Sequence, residues 1–248
     1  MNKQMVLLII LLSVLPLGTS VSAGPLDSCR LKIAWEDWKP YIYEEKGQLQ
    51  GLEYSLLMKL AEKAGCEFQF VEEPWIRSLD DLKNKKVDVL YGASYTKERD
   101  AFATFSVPYR YEEFVFISNV EMAPKNFSLV TWLGERKIDK SPKTIGLIRG
   151  FYYGDKLDPI VRNHSGRHKT HEVRSDDQLE KMLKYNRIDG FIVEKLVAEQ
   201  MLKFLSNLKL SQIQEVQPEP MYLMFSNEVP QEVIMRFNTA ISEMREKK

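Results

Sequence analysis

The sequence predicts an α/β fold in two lobes, each a mostly parallel sheet flanked by helices, with a hinge between them. Three observations carry this. Short apolar strands alternate with amphipathic helices in β-α-β-α-β-α order after Leu31, and successive strands joined through helices form parallel sheets with right-handed crossovers. The same order starts again at Thr144. A last strand and helix, Met221 to Ser226 and Pro230 to Glu246, then return to pack on the first lobe. The chain therefore crosses between lobes twice, near 110–113 and 216–221, and such a hinge permits closure around a ligand. The division is a leader at 1–23, lobe I at 24–112, lobe II at 113–218, and a lobe I return at 219–248.

The leader reads from its composition. Lys3 supplies a positive start, Met5 to Leu17 is an apolar run, and Val21-Ser22-Ala23 is a small-residue cleavage site. The run is shorter than the roughly 20 residues that span a bilayer, so it predicts a cleaved secretory signal with Gly24 as the first mature residue. An uncleaved anchor is the alternative, and Pro16 and Gly18 argue against it.

Leu31 to Trp35 is the first strand, followed by the polar and aromatic loop Glu36 to Tyr41. Gly47 and Gly51 bracket a turn. Leu52, Leu56, Leu57, Leu60, Ala61 and Ala64 then repeat at helical spacing up to Gly65, a C-cap. Glu67 to Val71 is the second strand. Trp75/Ile76, Leu79 and Leu82 recur at helical spacing, and Val87 to Tyr91 forms a strand ending at Gly92. Thr96 N-caps a helix from Lys97, with Arg99 in its first turn. Free N–H groups at such a strand–turn–helix junction favour an anion, and the Arg99 fork suits a carboxylate.

Tyr111 to Ser118 is a strand, and Asn119 to Lys143 is mixed and polar. Thr144 to Ile148, Lys169 to Val173 and Arg187 to Val193 give the strands of the second repeat. Between them lie the Arg149-Gly150 turn, a helix after Gly154, and a capping box at Ser175 to Gln178. Glu194 opens a helix from Lys195 to Leu205.

Thirty-five basic and 35 acidic residues give zero formal charge, so nothing points to nucleic acid or a membrane surface. No Gly-x-Ser-x-Gly elbow, phosphate loop or zinc-protease motif is present, and no cofactor is implied. His164, His168 and His171 sit in a solvated basic loop without carboxylate or Cys companions, so no metal site is expected. Cys29 and Cys66 each precede a strand. Parallel neighbours would put both sulfurs at one end of the sheet, and export permits a disulfide. Two alternatives stand beside it: free buried thiols, or lipid attachment at Leu26-Asp27-Ser28-Cys29, which Asp27 and the distance from the apolar run disfavour.

Lys86-Val87-Asp88-Val89, Gly92, Ser94, Thr96, Arg99 and Phe105-Ser106-Val107-Pro108-Tyr109 together resemble the bacterial extracellular solute-binding proteins, family 3, which include periplasmic receptors for polar amino acids. The resemblance covers nearly the whole mature chain. It implies a type II periplasmic-binding-protein-like fold and a monomer in the periplasm. It also implies an amino acid-like small molecule as ligand and an inner-membrane ABC permease as partner. Residue by residue, it implies that Arg99 clamps the α-carboxylate with Ser94 and Thr96 beside it, and that Glu194 pairs with the α-amino group. Trp38 and Trp75 become cleft aromatics, Glu36 a contact for a cationic side chain, and Arg77 a second cation. In lobe II, Gly150 is followed by Phe151, Tyr152 and Tyr153 where the family has a hydroxyl residue. This departure loses the hydroxyl contact or replaces it with a phenol, leaves backbone N–H groups to reach the anion, and opens the ligand to aromatic or larger amino acids or another small organic anion. Two other functions share the fold: a cyclohexadienyl-dehydratase-like enzyme using Glu36, Asp37 or Glu194 as acid, and a stand-alone sensory co-receptor.

Overall fold

The computed structural model describes residues 29–119, 127–162 and 167–246. The expected leader and its cleavage after Ala23 lie outside the described residues.

The first lobe runs through β1 (Cys29–Trp35), the hairpin β2 (Tyr43–Glu45) and β3 (Gln48–Gln50), α1 (Leu52–Ala64), β4 (Cys66–Glu72) and α2 (Trp75–Lys83). It continues with β5 (Val89–Ala93), α3 (Lys97–Asp100), β6 (Ala103–Phe105) and β7 (Arg110–Glu112). Helix α1 buries the Leu57, Leu60, Ala61 and Ala64 stripe and ends on Gly65 at φ 64. Gly51 admits no side chain, because a Cβ there would lie 2.2 Å from the Tyr41 carbonyl oxygen. The β1–β4 register is parallel and opens on Cys29 opposite Cys66. Their Cα atoms are 4.5 Å apart and the disulfide is formed. The free-thiol and lipid-attachment alternatives therefore fall away.

The second lobe contains β8 (Phe114–Asn119), α4 (Leu129–Gly134), β9 (Lys143–Ile148), α5 (Leu157–Arg162), β10 (His168–Val173) and α6 (Asp176–Lys184). It closes with β11 (Gly190–Glu194), α7 (Lys195–Leu202) and β12 (Leu208–Gln212). Then β13 (Glu219–Ser226) and α8 (Gln231–Glu246) rejoin the first lobe, with Ile234, Phe237, Ala240 and Ile241 turned into its core. The first sheet has the order β4-β1-β5-β13-β6, and the second β10-β9-β11-β8-β12.

Each sheet is mostly parallel in strand direction, with one reversed strand. The β-α-β units are parallel as expected, but β13 runs antiparallel to β5, and β8 antiparallel to β11. A strand that returns from the other lobe enters without a crossover helix of its own, so nothing in its local sequence sets its direction. The single strand expected from Tyr111 to Ser118 is two strands that separate at Glu113, because β7 pairs with β13 in one lobe and β8 with β11 in the other. Strand β5 passes through Gly92 to Ala93, and α7 stops at Leu202. The capping box is incomplete: Gln178 accepts from the Arg174 N–H and the Ser175 side chain makes no cap bond. His164 lies outside the described residues. His168 is a buried residue of β10 whose Nε2 meets the Val161 carbonyl, so it does not belong to a solvated loop.

Candidate functional site

The carboxyl ends of β1, β4 and β5 carry the loops that face the second lobe, where ligands of open α/β sheets sit. The cleft there is walled by Trp35, Glu36, Trp38, Glu73, Trp75 and Ser78 of one lobe's loops. Tyr91, Gly92, Ser94 and Arg99 form its floor, Glu112 and Phe114 belong to the crossover, and Phe151 and Tyr152 come from lobe two. It leaves about 40 Å³ for the centres of water-sized molecules, so the lobes must part to admit anything as large as an amino acid.

Arg99 is held by its local sequence. Thr96 caps α3, its Oγ1 accepting from the Arg99 N–H at 3.1 Å. The helix is one turn long, so its dipole adds little to an anion site. The guanidinium is 7 % exposed. Its Nη1 donates to the Ser94 carbonyl at 2.8 Å and its Nη2 to the Gly150 carbonyl at 2.9 Å, while its plane faces the Trp75 ring at 5.5 Å. Burial draws its pKa down to about 10, leaving it charged at neutral pH.

The Gly150 carbonyl is a meeting point between lobes, since Trp75 Nε1 donates to it as well, at 3.1 Å. Gly150 has φ 79, which favours glycine, and a Cβ there would sit 2.9 Å from the flexible end of Ile76. Ser94 Oγ donates to the Tyr152 carbonyl at 3.4 Å, Trp75 packs edge-on to Phe151, and the Trp38 indole donates to Asp176. Tyr41 belongs to the first lobe's loop yet packs in the second lobe's core and donates its hydroxyl to Glu194. The structure is thus a closed one, its lobes tied by side chains from the first to backbone and carboxylates of the second.

The phenols after Gly150 do not replace the family's hydroxyl donor. Tyr152 gives its hydroxyl to Asp155, and Tyr153 is buried with its oxygen accepting from the Ile148 N–H. The donors left on that side are backbone N–H groups.

Carboxylates dominate the electrostatics. Burial pushes Glu36 up to about 7, although its Oε2 accepts from the Trp75 N–H at 3.2 Å. Burial raises Glu73 too, with Asp81 beside it. Glu112 is pushed up to about 7 by burial against the pull of Arg110. Asp176, at the start of α6, is likewise raised to about 7 by burial. Glu73 pairs with Arg77 and Glu112 with Arg110, whereas Glu36 accepts from the Trp75 N–H and has no ion pair among the described residues. A cleft with Arg99 and such a carboxylate suits a ligand that brings both a negative and a positive group.

Of the sequence candidates, Glu36, Trp38, Trp75, Ser94, Arg99, Phe151 and Tyr152 meet in this cleft. Gly150 and Thr96 line the groove just outside, where Arg99 separates the two spaces. Arg77 is not brought in: its side chain is 68 % exposed and it pairs with Glu73 and Asp81. Glu194 is 5 % exposed, and its Oε2 caps α7 by accepting from the Leu196 and Val197 N–H groups at 2.7 and 3.2 Å. Sequence reading missed Glu73, Glu112, Tyr91 and Asp176. Glu73 and Asp176 each stand at a helix start, where an acid reads as a cap charge, and Glu112 ends the polar strand Arg110-Tyr111-Glu112 beside Glu113, where nothing local marks which acid turns inward.

The fold and the cleft together define a two-lobed clamshell binding protein. The chain belongs to the bacterial extracellular solute-binding proteins, family 3, whose profile matches residues 31–248. It is 26% identical over 211 residues to the arginine-binding extracellular protein ArtP of Bacillus subtilis, covering 85% of this chain and 78% of that one. A shorter match, 32% identical over 87 residues, is to the cyclohexadienyl dehydratase of Pseudomonas aeruginosa and covers 34% of this chain and 32% of that one. Among solved structures, the amino acid ABC transporter substrate-binding protein AbpA of Streptococcus pneumoniae, bound to L-arginine, superposes with a TM-score of 0.74. It is 20% identical and the match covers 88% of this chain and 90% of that one, a likeness that shows the fold.

Proposed function

We propose that this protein captures a cationic amino acid of the arginine type between its lobes in the periplasm, as a monomer freed of its leader after Ala23, and passes it to an ABC permease. One observation carries the reading: Arg99 shares a cleft with Glu36, a desolvated carboxylate without an ion pair among the described residues, and with the rings of Trp38 and Trp75. Arg99 takes the α-carboxylate with two parallel N–H bonds. Glu36 takes the side-chain cation, and the indoles cover its stem and face. The arginine-binding relative supports the same ligand class.

A thermal-shift screen of the common amino acids, ornithine and small carboxylates tests it, because a ligand that binds only the folded state raises the melting temperature. Arginine, lysine, ornithine or histidine gives the largest rise; a largest rise from aspartate, glutamate or a dicarboxylate overturns the reading. The dehydratase alternative rests on a match to about a third of that enzyme. Asp37 is exposed and Glu194 caps a helix, which leaves Glu36 as the one of the three named acids in the cleft wall. Purified protein incubated with prephenate or arogenate gives no turnover on this reading.

A further inference from the structure

We propose that Glu112, the last residue of the crossover strand β7, receives the ammonium group of the bound amino acid; the assignment rests on the cationic-amino-acid reading above. Glu112 is 4 % exposed and forms part of the cleft wall. Arg110 Nη2 approaches its Oε1 at 2.7 Å, but the same guanidinium gives its Nε to Glu53 Oε2 at 2.6 Å. Glu53 has a hydrogen-bond donor in the Tyr109 hydroxyl, whereas Glu112 Oε1 is buried with the Arg110 ion pair but no hydrogen bond among the described residues. Two buried carboxylates thus share one cation, a deficit of one positive charge. Buried carboxylates are costly unless compensated, and an ammonium group entering the cleft supplies the missing charge at the carboxylate that faces it.

The placement fits the zwitterion. Gly92 has φ 59, and a Cβ there would lie 2.8 Å from Arg110 Nη2 and 3.7 Å from Glu112 Oε1. The pair therefore sits directly over the Gly92 backbone. Arg99 is fixed to the Ser94 carbonyl, two residues along the same segment, a separation of about 7 Å in extended chain. The two charged groups of an amino acid, with a hydrogen bond of about 2.9 Å at each end, span roughly 8 Å. Arg99, tied to Ser94, and Glu112, over Gly92, line the same cleft. Glu194, the acid that the family resemblance nominates for the ammonium, is occupied by two helix N–H groups and the Tyr41 hydroxyl and is not part of the cleft wall.

The test compares L-arginine with 5-guanidinopentanoate, which keeps the carboxylate and guanidinium but lacks the ammonium. Calorimetry on the parent, Glu112→Gln, Glu53→Gln and Glu194→Gln gives the affinities, with circular dichroism to check the fold. Glu112→Gln weakens L-arginine binding by about ten-fold or more, the worth of a charged hydrogen bond, and leaves the deamino analogue within about two-fold. Glu53→Gln leaves Arg110 wholly to Glu112 and so also weakens L-arginine selectively, by less than Glu112→Gln does. If Glu112→Gln does not fold, Glu112→Asp retains the charge on a shorter stem and shows the same selective loss to a smaller degree. Equal weakening of both ligands by the Glu112 variants, no weakening, or selective loss in Glu194→Gln overturns the assignment while the cationic-amino-acid reading stands. Failure of the parent to bind either ligand or any basic amino acid removes both.

Discussion

Removing Arg99 separates two roles that the structure gives one side chain. In Arg99→Ala, the ligand's carboxylate loses two charge-assisted hydrogen bonds worth about 1.5–3 kcal/mol each. That is about 3–6 kcal/mol, a loss of roughly two to four orders of magnitude in affinity. Arg99→Lys keeps the charge without the fork, and a loss of about ten-fold or more follows from one charged bond. The same truncation also acts on the ligand-free protein. The guanidinium is 7 % exposed and satisfies the Ser94 and Gly150 carbonyls. Leaving two half-buried acceptors without donors costs about 1–3 kcal/mol each if they stay dry, so this is not a neutral surface change. Because the Gly150 bond crosses between lobes, part of the cost is relieved by opening, where water reaches both carbonyls. The expected result is a folded protein that melts several degrees lower, binds L-arginine very weakly and is more extended in solution. Calorimetry, thermal melting and small-angle scattering on parent and variants measure the three effects. An Arg99→Ala protein that binds as well as the parent would refute the carboxylate clamp. A ligand-free radius of gyration equal to the parent's would refute the latch on Gly150.

Other outcomes follow from particular contacts. Cys29 and Cys66 are 37 residues apart, and closing such a loop stabilises by about 4 kcal/mol in the chain-entropy model; Cys29→Ser with Cys66→Ser lowers the melting temperature by roughly 8–16 °C, and an unchanged melting curve would contradict it. Burial holds Glu36 at about 7, so it is protonated and unable to pair with a cation in acid: L-arginine affinity rises from pH 5.5 to 8, and Glu36→Gln flattens that rise. The sign for ligand-free stability is opposite, because raised carboxyl pKa values let the folded state hold more protons than the unfolded chain; denaturant midpoints fall as pH increases from about 4.5 through 7, as Glu36, Glu112 and Asp176 ionise. Gly150→Ala strains a φ of 79; the cost of about 1–2 kcal/mol falls on open and closed forms alike, so it lowers the melting temperature by roughly 2–8 °C while leaving the lobes' own circular dichroism unchanged. Saturating ligand, in turn, makes the parent more compact than its open form, and a scattering profile blind to ligand would argue against hinge closure.

Much of this protein is local and therefore written in the chain. The α1 stripe and its Gly65 cap, the Thr96 cap that orients Arg99, and the β-α order that makes β1, β4 and β5 parallel all depend on residues within a few positions of one another. The pairing of Cys29 with Cys66 follows from that order once the register starts both strands at the cysteines. What only the tertiary structure decided lies across the cleft and the hinge. No spacing in the sequence brings Trp75 and Arg99 to the carbonyl of Gly150, Trp38 to Asp176, or Tyr41 to Glu194. Nor does it turn Arg77 outward and Glu112 inward, or set β8 and β13 antiparallel in otherwise parallel sheets. Capping, helical period and strand alternation act over one or two turns of chain, where backbone geometry alone fixes which side chains meet. Partners about 40 to 150 residues apart meet only after two separate sheets have formed and closed on each other, and their charge states are set by the burial that this closure creates.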